Sequence, residues 1–268
     1  MNSHQLGICS WSLKPNSPEE LIEGLHACDL NTVQLALVPL VEDPRWASYK
    51  SIFENAGINI LSGMLEPAGE DYSTLATIEK TGGVREDSSW EVTLDRAKKI
   101  VDAAYELGLT LVSFHAGFLP EKQSSERRTL LDRIRIIADV FALKGISIAL
   151  ETGQETAPVL LGVLEELSKP NIGVNFDPAN MILYGKGDPI DAAKMLSPFI
   201  LQVHIKDAIP TMEFGTWGTE VVVGTGRVDW DAFLQVIPHD VPRIIEREAG
   251  EDRIGDIQKA ISYIEERQ

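Results

Sequence analysis

The chain repeats one pattern eight times: a short β-rich run, then a longer amphipathic stretch. The strand-like runs cover residues 6–12, 32–37, 58–64, 110–115, 146–151, 172–177, 200–206 and 243–246. Helix-like stretches follow at 18–28, 44–56, 90–107, 127–143, 156–167, 189–196, 230–236 and 254–266. Several carry recognisable start signals: Ser17 before Pro18, Asp188 before Pro189, and Asp229 after the glycine pair Gly224 and Gly226. Strict alternation with eight strands predicts an α/β TIM (β/α)8 barrel rather than a doubly wound sheet. A dinucleotide-binding sheet would also need a glycine fingerprint after its first strand. Here that strand runs into Trp11-Ser12-Leu13-Lys14-Pro15, which has none. A barrel of this type needs ~250 residues, so a single domain spanning residues 1–268 is expected. One long irregular insertion, 66–89, follows the third strand on the face where barrel active sites lie, and suits a substrate-covering loop.

Side chains alternate across a strand, so parity tells which residues enter the barrel. In 172–177, Gly173, Asn175 and Asp177 share one parity and the large apolar residues the other. In 201–206 the inward set is Gln202, His204 and Lys206; in 146–151 it is Ser147, Ala149 and Glu151. Glu246 shares its parity with Ile244 and Glu248. Four consecutive strands therefore each deliver an ionisable group near the strand's C-terminal end: Glu151, Asp177, His204 and Glu246. Neighbouring strands lie ~4.8 Å apart, which brings the four around one point. Three buried carboxylates are too costly without a compensating cation, and that is the physical case for a metal.

The other inward or loop residues keep two readings each. His115, at the end of the fourth strand, fits a hydrogen bond to substrate or to a ligand carboxylate, and equally a structural role. Lys206 fits a substrate oxyanion or phosphate, or a local salt bridge. Asn180, in Asp-Pro-Ala-Asn, fits substrate contact or a turn cap. Trp11 and Trp217 suit stacking on a sugar ring or loop packing, and Glu248 lies past the strand end, beyond the ligand set. Gly224 and Gly226 invite comparison with a phosphate loop, but the rest of a nucleotide fingerprint is missing.

Charge and cysteine content narrow the class further. With 24 basic and 41 acidic residues the net charge is −17, which disfavours nucleic acid and anionic lipid as partners. Apolar runs fall short of the ~18–20 residues of a membrane span, and residues 1–5 lack the basic and apolar regions of a signal peptide. Cys9 and Cys28 lack metal-ligand spacing and read as buried, reduced thiols. A cytoplasmic location is the expectation, with homo-oligomer formation left open.

The segments Ala149-Leu150-Glu151, Asn175-Phe176-Asp177-Pro178-Ala179-Asn180, Val203-His204-Ile205-Lys206-Asp207 and Ile245-Glu246-Arg247-Glu248-Ala249-Gly250 carry a family resemblance, joined by Gly224-Thr225-Gly226-Arg227-Val228-Asp229-Trp230. Across essentially the whole chain the sequence resembles the xylose isomerase-like TIM-barrel superfamily, also called the sugar phosphate isomerase/epimerase family. The resemblance implies one divalent metal held by Glu151, Asp177, His204 and Glu246. Such an oxygen-rich set with one imidazole suits Mn²⁺, Mg²⁺ or Co²⁺, and also accommodates Zn²⁺. It further implies that Glu151 and Glu246 perform the proton transfers of an enediolate mechanism on a keto-sugar, sugar phosphate or polyol. The alternatives within the superfamily are a lyase or dehydratase acting on a 2-keto polyol or keto-glycoside, and, from another class, a non-catalytic sugar-binding barrel. Ketose 3-epimerases carry a His three residues after the Asp ligand and an Arg six residues after the His ligand; this chain has Asn180 and Pro210 there. Its five histidines, His4, His26, His115, His204 and His239, are too few for the zinc cluster of endonuclease IV.

Overall fold

The computed structural model describes residues 6–213 and 215–267. The pentapeptide 1–5, on which the argument against a signal peptide rests, lies outside the described residues. The strands are β1 (Leu6–Cys9), β2 (Thr32–Ala36), β3 (Asn59–Met64), β4 (Leu111–Phe114), β5 (Ser147–Glu151), β6 (Ile172–Phe176), β7 (Ile200–Ile205), β8 (Asp207–Ile209), β9 (Thr219–Val221) and β10 (Arg243–Ile245). The α-helices are α1 (Pro18–Ala27), α2 (Val38–Glu42), α3 (Tyr49–Ala56), α4 (Leu75–Thr81), α5 (Asp87–Glu106), α6 (Ser125–Ala142), α7 (Ala157–Leu167), α8 (Pro178–Leu183), α9 (Pro189–Leu196), α10 (Trp230–Val236) and α11 (Arg253–Glu265).

Eight strands pair in parallel and close in the order β1-β10-β7-β6-β5-β4-β3-β2, the TIM-barrel topology. Closure satisfies every strand edge, and the apolar parity of each strand packs outward beneath the helices. Ile148 and Leu150 of β5, Val174 and Phe176 of β6, and Val203 and Ile205 of β7 are all fully buried in that layer. The opposite parity fills the barrel with small or polar groups, including Gln34, Ser62, Ser113, Asn175 and Gln202, all buried and hydrogen-bonded to one another. No helix among the described residues is long and apolar enough to cross a membrane.

The helix starts follow local chemistry. Ser17 accepts from the Glu20 amide, Asp188 from those of Ile190 and Asp191, and Asp229 from that of Ala232. Several boundaries differ from the sequence pattern. The first strand stops at Cys9 because Ser10–Leu13 wind into a 3-10 turn, closed by Lys14 at φ 50°. The insertion 66–89 is not wholly irregular: α4 starts on a reciprocal Thr74–Thr77 capping box, and α5 already begins at Asp87. Helix α8 is too short for a periodic signal and starts on the Asp177 cap and Pro178. After β7 the chain makes an antiparallel hairpin, β8 with β9, which accounts for the long gap before β10.

Candidate metal centre and cavity

Parallel strands put all their C-terminal ends on one face, and the four ionisable residues collect there. Glu151 ends β5, His204 lies in β7, and Asp177 and Glu246 directly follow β6 and β10. One donor atom from each of Glu151, Asp177, His204 and Glu246 lies within 4.8 Å of all the others, and all four residues are buried. His204 Nδ1 is 3.2 Å from Glu246 Oε2, 3.5 Å from Glu151 Oε1 and 3.8 Å from Asp177 Oδ2.

Two of these atoms, His204 Nδ1 and Asp177 Oδ2, are fully buried without a hydrogen-bond partner among the described residues. Such orphans are costly unless something compensates them. Three carboxylate oxygens and an imidazole nitrogen facing one point are the donor set of a hard-to-borderline divalent cation. The residues fit a metal.

The surroundings orient the donors. To offer its Nδ1 lone pair, His204 must carry its proton on Nε2, and Gln34 Oε1 at 2.8 Å is positioned to hold it there. Gln34 is in turn fixed by donating to Ser113 Oγ at 2.8 Å. Glu151 Oε2 accepts from Asn175 Nδ2 and Oε1 from Asn180 Nδ2, both at 3.1 Å. Asp177 uses Oδ1 to accept from the Asn180 amide at 2.9 Å, capping α8 and leaving Oδ2 turned to the cluster.

Electrostatics separates the carboxylates. Burial works to raise the Glu246 carboxyl, but Lys206 and His204 outweigh it and hold it well below the ordinary value. Burial likewise opposes ionisation of Glu151, and His115 and His204 overcome it, so its pKa is lowered. For Asp177 burial wins over Lys206, and the carboxyl is pushed up to about 6. Burial disfavours a charge on His204, but the carboxyl groups of Glu151, Glu246 and Asp177 around it raise its pKa well above that of free imidazole.

A cavity of about 780 Å³ opens above this cluster. Glu151 and Glu246 line it, while Asp177 and His204 are not among its lining residues. The three residues considered for substrate contact all line it too. His115 Nε2 is 3.4 Å from Glu151 Oε1. Lys206 Nζ donates to Glu246 Oε2 at 3.0 Å, Glu248 Oε2 at 2.7 Å and Asn180 Oδ1 at 3.3 Å. Asn180 therefore faces Glu151 and Lys206 rather than capping its own turn, the part that Asp177 plays.

Trp11 and Trp217 also line the cavity. Trp11 Nε1 donates to Glu246 Oε1 at 2.6 Å, and Trp217 packs edge-on against Tyr184 with ring centroids 6.5 Å apart. Tyr72 and Tyr184 in the cavity lining, and Gln34 beneath it, join the site only through the fold. Gln34 had a usable signal, a polar residue between Val33 and Leu35 with inward parity. The tyrosines had none, because they sit in or beside loop-borne segments without a period.

A closed parallel barrel with its polar groups at the C-terminal face belongs to the TIM-barrel class of proteins. Within it, the family model of the xylose isomerase-like TIM barrel matches residues 23–267, and the chain belongs to that family. A xylose isomerase domain protein from Planctomyces limnophilus is 32% identical, with a TM-score of 0.82 over 91% of this chain and 89% of that one. Among curated relatives, Escherichia coli YihM is 28% identical over 142 residues, 51% of this chain. A 3-dehydroshikimate dehydratase from Bacillus anthracis is 34% identical over 86 residues, 31% of this chain. The matches span 43% and 30% of the length of these two relatives. The fold is also shared with a D-allulose 3-epimerase from Methylomonas sp. in complex with D-allulose, at 19% identity, a TM-score of 0.71 and coverage of 99% and 97%. A Mycobacterium smegmatis barrel in complex with magnesium shares it at 16% identity, a TM-score of 0.74 and coverage of 98% and 95%.

Proposed function

We propose that this chain is a divalent-metal-dependent sugar isomerase or epimerase, a single barrel that moves a proton on a carbon beside a carbonyl of a polyhydroxylated substrate. The observation that carries this reading is the division of labour among the four clustered residues. Glu151 and Glu246 reach the cavity from β5 and β10, with β6 and β7 between them in barrel order, and Asp177 and His204 lie outside the lining. Two carboxylates reaching one pocket from different strands are what two-base proton transfer requires. Family membership supports the reading, as do the epimerase and dehydratase among the similar proteins.

Glu151 and Glu246 are both ionised in the resting site, so either can accept a carbon-bound proton. Glu246 is the weaker base while Lys206 donates to it. A substrate oxygen that takes over the Lys206 hydrogen bond would release Glu246 and raise its basicity. Lys206 would then stabilise negative charge developing on that oxygen, and His115 and Asn180 would hold Glu151 in place. A divalent cation held by Glu151, Asp177, His204 and Glu246 would supply Lewis-acid polarisation of the carbonyl.

The test is a screen of keto- and aldo-sugars in D₂O with Mg²⁺ or Mn²⁺, read by mass spectrometry. Deuterium should enter at the carbon beside the carbonyl, and a chelator should stop it. Conversion without deuterium would instead indicate a hydride shift, and neither conversion nor exchange with any sugar would remove the proposal. The dehydratase match favours one second reading, elimination at the β carbon from the same enolate; its products would have lost water or an aglycone.

A further inference from the structure

In TIM barrels the loops after the seventh and eighth strands are where phosphate is commonly bound, on backbone amides and cationic side chains. Both anion cradles exist here, and the chain's own carboxylates fill them. At the eighth strand, β10, the occupant is Glu220 of β9. Its Oε1 accepts from Arg247 Nη1 at 2.8 Å and from the Glu248 amide at 3.0 Å. Its Oε2 accepts from the Ala249 amide at 3.1 Å and the Glu248 amide at 3.2 Å. The Glu220 side chain is 8% exposed, and the residue lines the cavity.

At the seventh strand, β7, the occupant is Asp207. Its Oδ2 accepts from the Gly224 and Gly226 amides at 2.9 and 3.1 Å and from Trp230 Nε1 at 3.1 Å. Its Oδ1 accepts from the Ala208 and Val228 amides at 2.9 and 3.1 Å. A Cβ on Gly226 would lie 2.0 Å from Asp207 Oδ1, so the glycine serves this internal carboxylate. The glycine pair that resembles a phosphate loop in sequence is thus already bound to an anion.

The rest of the cavity has the same sign. Beyond the metal-ligand candidates Glu151 and Glu246, the carboxylates Glu66, Glu70 and Glu248 line it, with Lys206 the one Lys or Arg of the lining among the described residues, and Lys206 already pairs with Glu246 and Glu248. A phosphate entering here would meet like charge and would have to displace a buried, charge-assisted network.

We propose that the substrate is an uncharged keto-sugar or polyol, and that Glu220 is the specificity residue that excludes phosphorylated substrates by occupying the anion cradle itself. The catalytic part of this statement rests on the isomerase reading above; the sealing of the cradle does not.

Two arms test it. In the first, a keto-sugar and its phosphate ester are compared by kcat/KM. The ester should be poorer by about 100-fold or more, the scale of like-charge discrimination; an ester that is equal or better overturns the proposal. In the second, which needs no turnover, inorganic phosphate is titrated calorimetrically into metal-loaded wild type and into Glu220→Ala. Wild type should show no saturable binding at millimolar phosphate, and the variant should acquire it through the freed Glu248 and Ala249 amides and Arg247. Saturable binding by wild type overturns the proposal, as does a folded variant that gains none. Should Glu220→Ala fail to fold, Glu220→Gln keeps the shape without the charge and should gain saturable phosphate binding that wild type lacks; a folded Gln variant that gains none overturns the proposal. Absence of turnover with every sugar would count against the isomerase reading and leave the phosphate titration to judge this one.

Discussion

The two halves of the barrel interior are built from different chemistry. The arc β1–β4 points Cys9, Gln34, Ser62 and Ser113 inward, all uncharged in type or, for Cys9, held as a thiol because burial pushes its pKa up. The arc β5, β6, β7 and β10 and its strand ends supply Glu151, Asp177, His204, Lys206 and Glu246. Yet the neutral half is tied to the charged one, by Cys9 Sγ 3.7 Å from His204 Nε2 and by two side-chain amide links. Gln34 contacts His204 Nε2, and Ser62 Oγ donates to Gln202 Oε1 at 2.5 Å, which leads through Asn175 to Glu151. One arc carries the clustered metal-ligand candidates, and the other packs and hydrogen-bonds against them.

That division can be broken from either side. The largest effects belong to the charged arc. Glu151→Gln and Glu246→Gln should each lower net turnover by about 10²–10⁴-fold. Solvent-deuterium exchange should survive with one epimer in the first variant and with the other in the second. Metal content, measured alongside by elemental analysis, separates lost base from lost ligand. Exchange abolished for both epimers in both variants, with metal retained, would argue against opposite-face roles.

Next come His204 and Lys206, which share a parity and differ in function. His204→Ala should lose metal, whereas Lys206→Ala should keep it and lower kcat/KM by roughly 10–100-fold, the scale of a charge-assisted hydrogen bond. Metal retained by His204→Ala and lost by Lys206→Ala would reverse the assignment.

Gln34→Leu probes the neutral arc. Freed from its acceptor, His204 can take the wrong tautomer, and metal affinity should fall by about 10–100-fold. Because Gln34 lies outside the cavity lining, kcat at saturating metal should stay close to wild type. Metal affinity unchanged in this variant would show that the neutral arc is filling and no more.

The smallest effect is on pH dependence. Asp177, raised to about 6, and His204, raised well above the usual value, bind protons more tightly folded than unfolded. Their contribution to the metal-free protein is therefore present at low pH and lost as pH rises through the folded values. Glu151 and Glu246 have the opposite sign, giving stability above the ordinary carboxylate pKa that is lost below it. Acidifying from about pH 8 to pH 5 should thus raise the metal-free melting temperature while protons compete with metal. The gap between loaded and metal-free melting curves should narrow over that window; a gap that widens on acidification would contradict these directions.

The eight-fold alternation, the caps at Ser17, Asp188 and Asp229, and the common inward parity of Glu151, Asp177 and His204 could all be read from residue order. Each is a local property: strand periodicity and capping depend on the backbone within a few residues. Parity also predicted which polar groups share the interior, because closure leaves inward-facing side chains nowhere else to go. What parity could not tell was depth. It placed Glu151, Asp177, His204 and Glu246 on equal terms, and only the packed barrel separates the two that line the cavity from the two that do not. The irregular first-turn helix α8, the capping box inside 66–89 and the β8–β9 hairpin escaped because short elements have too few turns to show a period. The pairing of Glu220 with Arg247 and the amides that follow it joins a hairpin to a loop beyond another helix. Which carboxylate meets which amide there depends on strand register and on the path of two loops, quantities that arise from chain closure and that no local pattern of residues encodes.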